Sequence, residues 1–405
     1  MAIIGIILFV IATDILAWRP FQKFFICKGV RRKLLKRLYW GVTIFVVLTL
    51  TVGFFAQHAG HAQFHKIYYS IFGAVCLVYL PKAAYLFISR LIPASEGRIA
   101  VKAGTLAATL VLLTVAKALW IDRVDFRVEH KVVQVMNLPP SFKGYTVALI
   151  ADTHLGAWGR NTKPMKRVVE AIQRVKPDII LFAGDMVINF DEEIDPFIPL
   201  FSRLQAPDGL FAVTGNHDYG QYYNWPSEAL EQANFRDICT KIELAGFRLL
   251  LNSHTYIVRN GDSLLLAGIE NFSLPPRPAK GNLTKTFEGA DTSLCTLLLS
   301  HDPVFFALNH KTPHFAANLT LSGHTHEFQC ALRIGRFRWS PASLLTDYPS
   351  GLYYEGNKGI FVTRGIGSLG FPGRFGAKPQ IAVLHLVPWG ESQSAHTSTH
   401  SMLAP

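Results

Sequence analysis

Charge is scarce in this chain, and acidic charge is scarcest where the hydrophobic residues are densest. Asp, Glu, Lys and Arg make up 17% of the 405 residues, while 50% are hydrophobic. That balance excludes a disordered or fibrous chain and argues against an all-soluble protein. Cysteine is also thin, with five residues. Cys27 and Cys76 fall in the apolar N-terminal third, and Cys239, Cys295 and Cys330 form an odd set without paired spacing. Neither a disulfide framework nor a zinc ribbon is indicated. No internal repeat is present. Residues 1–121 contain only two acidic side chains, Asp14 and Glu96, against 14 Lys and Arg, which leaves 26 of each sign in residues 122–405. The whole net charge of +12 therefore sits in the apolar third. There it reads as membrane topology, and no nucleic-acid partner is expected.

Four apolar runs occupy that third: Ala2–Trp18, Leu38–Ala56, Ile67–Ile92 (interrupted by Pro81-Lys82) and Gly104–Ile121. The second and fourth have the length of a membrane span, and the first lies at the short limit of roughly 17 residues. It lacks the basic n-region and small-residue end of a cleaved signal peptide. Arg19, Lys23, Lys28, Arg31, Arg32, Lys33, Lys36 and Arg37 lie between the first and second runs. Arg98 and Lys102 lie between the third and fourth, and the intervening loop has Lys66 with His58, His61 and His65. The positive-inside rule places the first and third loops in the cytoplasm, which delivers the C-terminal part to the outer, periplasmic side of an inner membrane. A first run that does not cross would require the remaining loop charges to be weighed again and would open the alternative of a cytoplasmic domain. Asp14 and Lys82 at membrane depth each read as a helix-packing or interfacial residue, or as lining a site. The three loop histidines read as a solvated turn or a metal site.

After Ile121 the composition becomes that of a globular α/β domain over residues 122–388, followed by a polar Ser/Thr/His tail, 389–405, expected to be disordered. Strand patterns are expected at Phe126–Val135, Tyr145–Ala151, Ile179–Ala183, Leu210–Thr214, Ser263–Gly268, Leu294–Ser300, Asn318–Ser322, Gly359–Thr363 and Ile381–Val387, and a helix at Pro164–Val175. This alternation predicts a layered β-sandwich flanked by helices. Five of the strands end in polar groups: Asp152-Thr153-His154, Gly184-Asp185, Gly215-Asn216-His217-Asp218, Ser300-His301-Asp302 and Gly323-His324-Thr325-His326. Ligands gather at the carboxyl ends of strands in such sheets. Two aspartates, an amide and four histidines form a mixed N/O set suited to Mn, Fe or Zn. Seven ligands exceed one tetrahedral ion and suit two that share a bridge, for which Asp185 is placed. Two ions roughly 4 Å apart can hold a hydroxide and clamp a phosphoryl group. His217 could protonate the leaving oxygen. Asp218 either orients His217 or caps the following turn, and Asp302 reads as structural. The aromatic stretch Tyr219–Trp225 reads as loop packing or as a flap for an apolar group.

In this order the motifs D-x-H, G-D, G-N-H-D/E, H and G-H-x-H resemble the calcineurin-like metallophosphoesterase superfamily. Gly365-Ile366-Gly367 and Arg374-Phe375-Gly376 make the chain most similar to its bacterial membrane-associated phosphodiesterase branch, over about residues 140–388. The resemblance implies one metal on Asp152, His154, Asp185 and His326, and another on Asp185, Asn216, His301 and His324. It implies that His217 contacts the phosphate as general acid. Three positions depart from the pattern. Glu327-Phe328 stand where glycines follow the last histidine, which should alter the pocket wall. Gln380 replaces an acidic residue. Asp185 is followed by Met186-Val187-Ile188-Asn189, not by the D-R-G of Ser/Thr protein phosphatases. The resulting expectation is a multi-pass membrane hydrolase with two divalent ions, acting on phosphodiester or pyrophosphate bonds of a lipid or lipid-linked substrate among membrane lipids. The alternatives are a UDP-2,3-diacylglucosamine-type pyrophosphatase of lipid A synthesis and a metal-binding sensor or scaffold without turnover.

Overall fold

The computed structural model describes residues 2–26, 31–56, 63–272, 274, 279–335, 337–391 and 399–401. The chain divides into two compact units, Met1–Ile121 with Gly370–Gly373 and Asp122–Leu369 with Arg374–Pro405.

The first unit contains α1 (Ala2–Ile26), α2 (Arg32–Ala56), α3 (Gln63–Leu91) and α4 (Gly97–Trp120). All four are long and apolar enough to cross a membrane. Each outruns its apolar stretch because basic flanks such as Arg32–Arg37 continue a helix as readily as Leu does. Pro81 lies inside α3, as the interrupted third run implies. Asp14 on α1 is buried. Its carboxylate accepts from Thr43 Oγ1 (2.6 Å) and Tyr79 Oη (2.9 Å), and from Tyr39 Oη and Lys82 Nζ. One buried carboxylate thus joins three helices, through its ion pair to α3 and its hydrogen bonds from α2 and α3, and has the partners that a charge in an apolar bundle requires. This is the packing role. His65 is a buried residue of α3, while His58 and His61 lie outside the described residues.

In the second unit, the strands are β1 (Arg127–Val135), β2 (Thr146–Ile150), β3 (Ile179–Ala183), β4 (Leu210–Val213), β5 (Arg248–Leu249), β6 (Ser253–Arg259), β7 (Asp262–Gly268), β8 (Thr296–Leu299), β9 (Leu319–Ser322), β10 (Leu332–Ile334), β11 (Phe337–Trp339), β12 (Gly351–Glu355), β13 (Lys358–Val362), β14 (Gln380–Pro388) and β15 (Thr399–Ser401). One sheet runs β15-β1-β14-β2-β3-β4-β5 and the other β12-β13-β9-β8-β7-β6, with β10-β11 a separate hairpin. β2, β3 and β4 are parallel, as are β7, β8, β9 and β13.

The period of two along β2 shows why a sandwich forms. Val147 and Leu149 face inward with Leu181 and Leu384 against Leu264, Leu266, Leu297 and Leu321 of the other sheet. Ala148 and Ile150 face outward with Ile180 and Phe182 onto Met165, Val168 and Ile172 of α5 (Lys163–Val175) and onto Ile238 and Ile242. Strands buried on both faces need near-continuous apolar runs, which these have. The layered α/β sandwich expected from the sequence is present. β6, the β10–β11 hairpin and the helix Glu228–Leu244, N-capped by Ser227, lay outside that expectation. Within residues 389–405, Thr399–Ser401 pairs with β1, and 392–398 and 402–405 lie outside the described residues.

Candidate metal centre

Five strand ends, three from one sheet and two from the other, deliver the site. Ala151-Asp152-Thr153-His154 follows β2, Gly184-Asp185 follows β3, and Gly215-Asn216-His217-Asp218 follows β4. Ser300-His301 follows β8, and Gly323-His324-Thr325-His326 follows β9. Asp152, His154, Asp185, His324 and His326 all have positive φ, from 43° to 70°. Left-handed backbone costs a non-glycine residue on the order of 1–2 kcal/mol, so the surrounding structure must enforce this conformation at each tip. Gly215 shows how closely the tips pack, since a Cβ there would lie 2.1 Å from Asp185 Oδ1.

Two groups of ligand-capable atoms result: Asp152, His154 and His326, and Asp185, His301 and His324, with the atoms of each group within 4.8 Å of one another. Asp185 joins them. Its Oδ2 lies 3.2 Å from His301 Nε2 and 3.8 Å from His154 Nε2. Asp152 Oδ1 is 3.6 Å from His326 Nε2, which is 3.0 Å from His154 Nε2. His324 Nδ1 is 3.2 Å from His301 Nε2.

The tautomers follow from the outer contacts. His154 Nδ1 donates to Val187 O, which leaves its Nε2 as an acceptor, and His301 Nδ1 donates to Ala183 O. His301 Nε2 faces Asp185 Oδ2 at 3.2 Å, a contact filled by the proton that His301 retains or by a cation that replaces it. Asn216 Oδ1 is buried without a hydrogen-bond partner while its Nδ2 donates to Tyr222 Oη (2.6 Å). The bare Nε2 of His154, 3.0 Å from His326 Nε2, and the orphaned Asn216 oxygen are what a pair of divalent ions would satisfy.

Electrostatics point the same way. Burial raises the Asp152 carboxyl to about 7. Burial opposes charge on Asp185 as well, but His301 and His217 outweigh it and hold that carboxylate well below its usual range. Burial also disfavours charged His301, yet Asp185 and Asp152 raise it to about 10. His154 is pushed down to about 3 by burial and then by His217. One acidic centre therefore retains a proton that a metal ion can replace.

His217 stands beside the groups. Its ring lies edge-on to His154 (4.9 Å between centroids) and stacks on Tyr222 (4.1 Å), and its Nδ1 donates to Ile188 O. The Asp218 carboxylate accepts from the backbone N–H of Asp185, Met186, Val187 and Gly215. It therefore positions the Asp185 loop and does not reach the His217 ring. Asp302 Oδ2 lies 3.5 Å from His324 Nε2, which orients that ring.

Two further residues support the site, Glu193 without a sequence signal and Arg374 from the segment Arg374-Phe375-Gly376 that carried part of the resemblance. Buried Glu193 accepts from the N–H groups of Gly156, Ile188, Asn189 and Phe190, clamping the loop that carries the carbonyl partners of His154 and His217. Buried Arg374 donates to Gly367 O, Arg364 O and Ala377 O, and its Nη2 lies 3.2 Å from His326 Nδ1. Gln380 has a plain reason: Glu129 of β1 supplies the carboxylate, accepting from Gln380 Nε2 and from Arg364.

A family model described as calcineurin-like phosphoesterase matches residues 145–328. The uncharacterized metallophosphoesterase YkuE of Bacillus subtilis is 32% identical over 262 residues, 64% of this chain and 84% of YkuE. A Bos taurus transmembrane protein with metallophosphoesterase domain is 27% identical over 263 residues, 63% of this chain and 55% of that one, so the match spans about half of the bovine protein. Phosphodiesterase YaeI of Escherichia coli is 27% identical over 252 residues, 60% of this chain and 82% of YaeI. Strand-end ligands, paired His/Asp groups and these relatives agree, and the chain belongs to the calcineurin-like metallophosphoesterases, a family of metal-dependent phosphoesterases.

Proposed function

We propose that this protein is a membrane-anchored, dinuclear-metal hydrolase of phosphodiester or pyrophosphate bonds, of the bacterial membrane-associated phosphodiesterase branch. The observation that carries the reading is the single oxygen, Asp185 Oδ2, that faces a histidine of each group. Asp152, His154, Asp185 and His326 would hold one ion, and Asp185, Asn216, His301 and His324 the other. Such ions supply Lewis acidity toward a phosphoryl oxygen and an acidic water at neutral pH. The chain's own residues do the rest. Asp218 and Glu193 fix the loop that presents Asp185, Asp302 orients His324, and His217 stands where it can donate to a leaving oxygen. Glu327, one of the departures from the family pattern, directs its carboxylate to Arg338 and leaves both groups intact.

Metal loading tests this directly. The purified protein is expected to bind two equivalents of Mn²⁺ or Zn²⁺ and to hydrolyse bis-p-nitrophenyl phosphate, with activity lost to a chelator and restored by metal. Because His301 holds a proton up to about 10 and Asp152 up to about 7, binding at pH 7 must release protons. Affinity therefore rises with pH, by roughly tenfold or more per unit. Calorimetry in buffers of different ionisation enthalpy reads the released protons, and a pH-independent affinity would refute the assignment.

We place the catalytic domain on the outer side of the membrane, following the basic loops of the helical unit. Cysteine labelling of an exposed position such as Lys143 in intact cells checks this, since protection from an impermeant reagent would place the domain in the cytoplasm. A lipid or lipid-linked ester is the substrate class that suits an anchored hydrolase.

A further inference from the structure

Beside the metal groups the catalytic unit opens into a cleft of about 800 Å³ whose wall includes His324 and His326 together with Val304, Phe328, Leu345 and Leu369. The chain between Phe328 and Leu345 forms the β10–β11 hairpin, and the two faces of this hairpin differ. In its register Leu332 pairs with Trp339 and Ile334 with Phe337, which puts four large apolar side chains on one face, while Arg333 pairs with Arg338 on the other. The basic face is anchored. Arg338 donates to the Glu327 carboxylate through Nε and Nη2, and to Ser350 Oγ. The apolar face is left uncovered, with those four residues 41 to 65% exposed, and Leu344 and Leu345 beyond them are 74% exposed.

Strain marks the same place. His326, Glu327, Phe328 and Gln329 form an unbroken left-handed run with φ from 49° to 56°. Residues with a Cβ adopt such a run only where the surroundings impose it, and such strain clusters at ligand clamps. Here it sends Glu327 inward to hold the hairpin and leaves Phe328 on the cleft wall. The two departures from the family pattern thus build the cleft and its rim.

Resting on the phosphoesterase reading above, we propose that this cleft binds the hydrocarbon chain of an amphiphilic phosphoester, with the apolar face of the hairpin and Leu344-Leu345 seated in the surface of the bilayer. Three observations select that occupant. The chain carries four helices fit to cross a membrane. The hairpin combines Trp, Phe, Leu and Ile with arginines, which suits the bilayer–water interface. The cleft shares two histidines with the metal groups, so an ester whose phosphate lies at the metals can run its chain directly into it. An apolar surface of this kind on a soluble face would be an aggregation liability.

Methyl and octyl p-nitrophenyl phosphate test this with one scissile bond and different chains, using the full chain in lipid nanodiscs. The octyl ester is expected to have a kcat/KM at least ~30-fold above the methyl ester, mostly through KM, given the gain from burying each methylene. Leu345→Asp should bring that ratio to within about threefold, and Ile334→Asp with Phe337→Asp should lower it as well. A ratio near one in the wild type, as when a protein partner or a second copy covers the rim, overturns the proposal, as does a ratio unmoved by Leu345→Asp. If neither ester is turned over, the hydrolase reading itself has failed and a second measurement decides. Brominated lipid chains should quench the fluorescence that Trp339→Phe removes, and absence of that quenching overturns the proposal whatever the activity.

Discussion

Replacing Asp185 with Asn should abolish nearly all phosphodiesterase activity while leaving the fold intact. Asn is isosteric with Asp, so the strand end and the close approach of Gly215 are preserved. What is lost is the negative charge that His301, His217 and His154 all face. The amide also presents one oxygen and one N–H₂ donor, so with its oxygen at the Oδ2 position its N–H₂ would meet the His217 backbone N–H that Oδ1 accepts from. Turnover of bis-p-nitrophenyl phosphate is expected to fall on the order of 10³-fold, comparable with removing a preorganised electrostatic group at a phosphoryl-transfer site. Metal content should drop from two equivalents toward one. Unchanged melting of Asp185→Asn in the same preparation separates this loss from misfolding. Equal turnover in the two proteins would remove the basis of the dinuclear reading.

The ligand groups were legible in the sequence because each is local. An apolar strand ends, a glycine or a short polar turn follows, and the side chain at the tip has little choice about where it stands. Asp152, His154, Asp185, His301, His324 and His326 all belong to such tips, and the two sheets bring the tips together. Glu193 was not legible for the converse reason. In the run Asp191–Glu193 it reads as surface charge, and its four partners are backbone N–H groups whose convergence is fixed only once the loop after Asp185 has folded back on the turn after His154. Asp218 illustrates the middle case. Its place beside His217 suggested contact with the ring, but the tight turn at Gly215 points the carboxylate at the Asp185 loop.

The aromatic stretch also divides by residue. Tyr219 packs flat on Phe235 and bonds Glu270, which is core, whereas Tyr222 stacks on His217 and belongs to the site. The hairpin had a usable signal. Leu332-Arg333-Ile334 and Phe337-Arg338-Trp339 alternate on either side of Gly335, a strand–turn–strand pattern. Exposure of its apolar face, however, runs against the usual inference from alternation, in which the apolar side is the buried one. Glu327 and Phe328 mattered as expected for the pocket wall, since Phe328 lines the cleft, but the anchoring of Arg338 by Glu327 needed the register of the hairpin to be seen.

His217 makes a sharper prediction than simple loss of activity. Burial lowers the pKa of its ring, so the residue starts neutral, with Nδ1–H committed to Ile188 O and Nε2 bare. A neutral imidazole of that tautomer cannot donate from Nε2, so a role as general acid requires the ring to gain a proton when substrate arrives. An anionic phosphoryl group beside Nε2 supplies the reason, because a nearby negative charge favours the imidazolium, and Ile188 O continues to accept from Nδ1–H in either state. The stack on Tyr222 holds the ring in place meanwhile. The requirement for a proton then depends on the leaving group. An alkoxide must be protonated as it departs, whereas p-nitrophenolate is stable enough to leave without help. His217→Gln is therefore expected to lower kcat for dialkyl phosphodiesters by roughly 10²–10⁴-fold, while hydrolysis of p-nitrophenyl esters falls far less. In the wild type, kcat for the alkyl esters should decline as pH rises through the substrate-bound pKa of His217, and this limb should be missing for p-nitrophenyl esters. Equal losses for both leaving groups would make His217 a phosphate contact only and leave proton donation to another group.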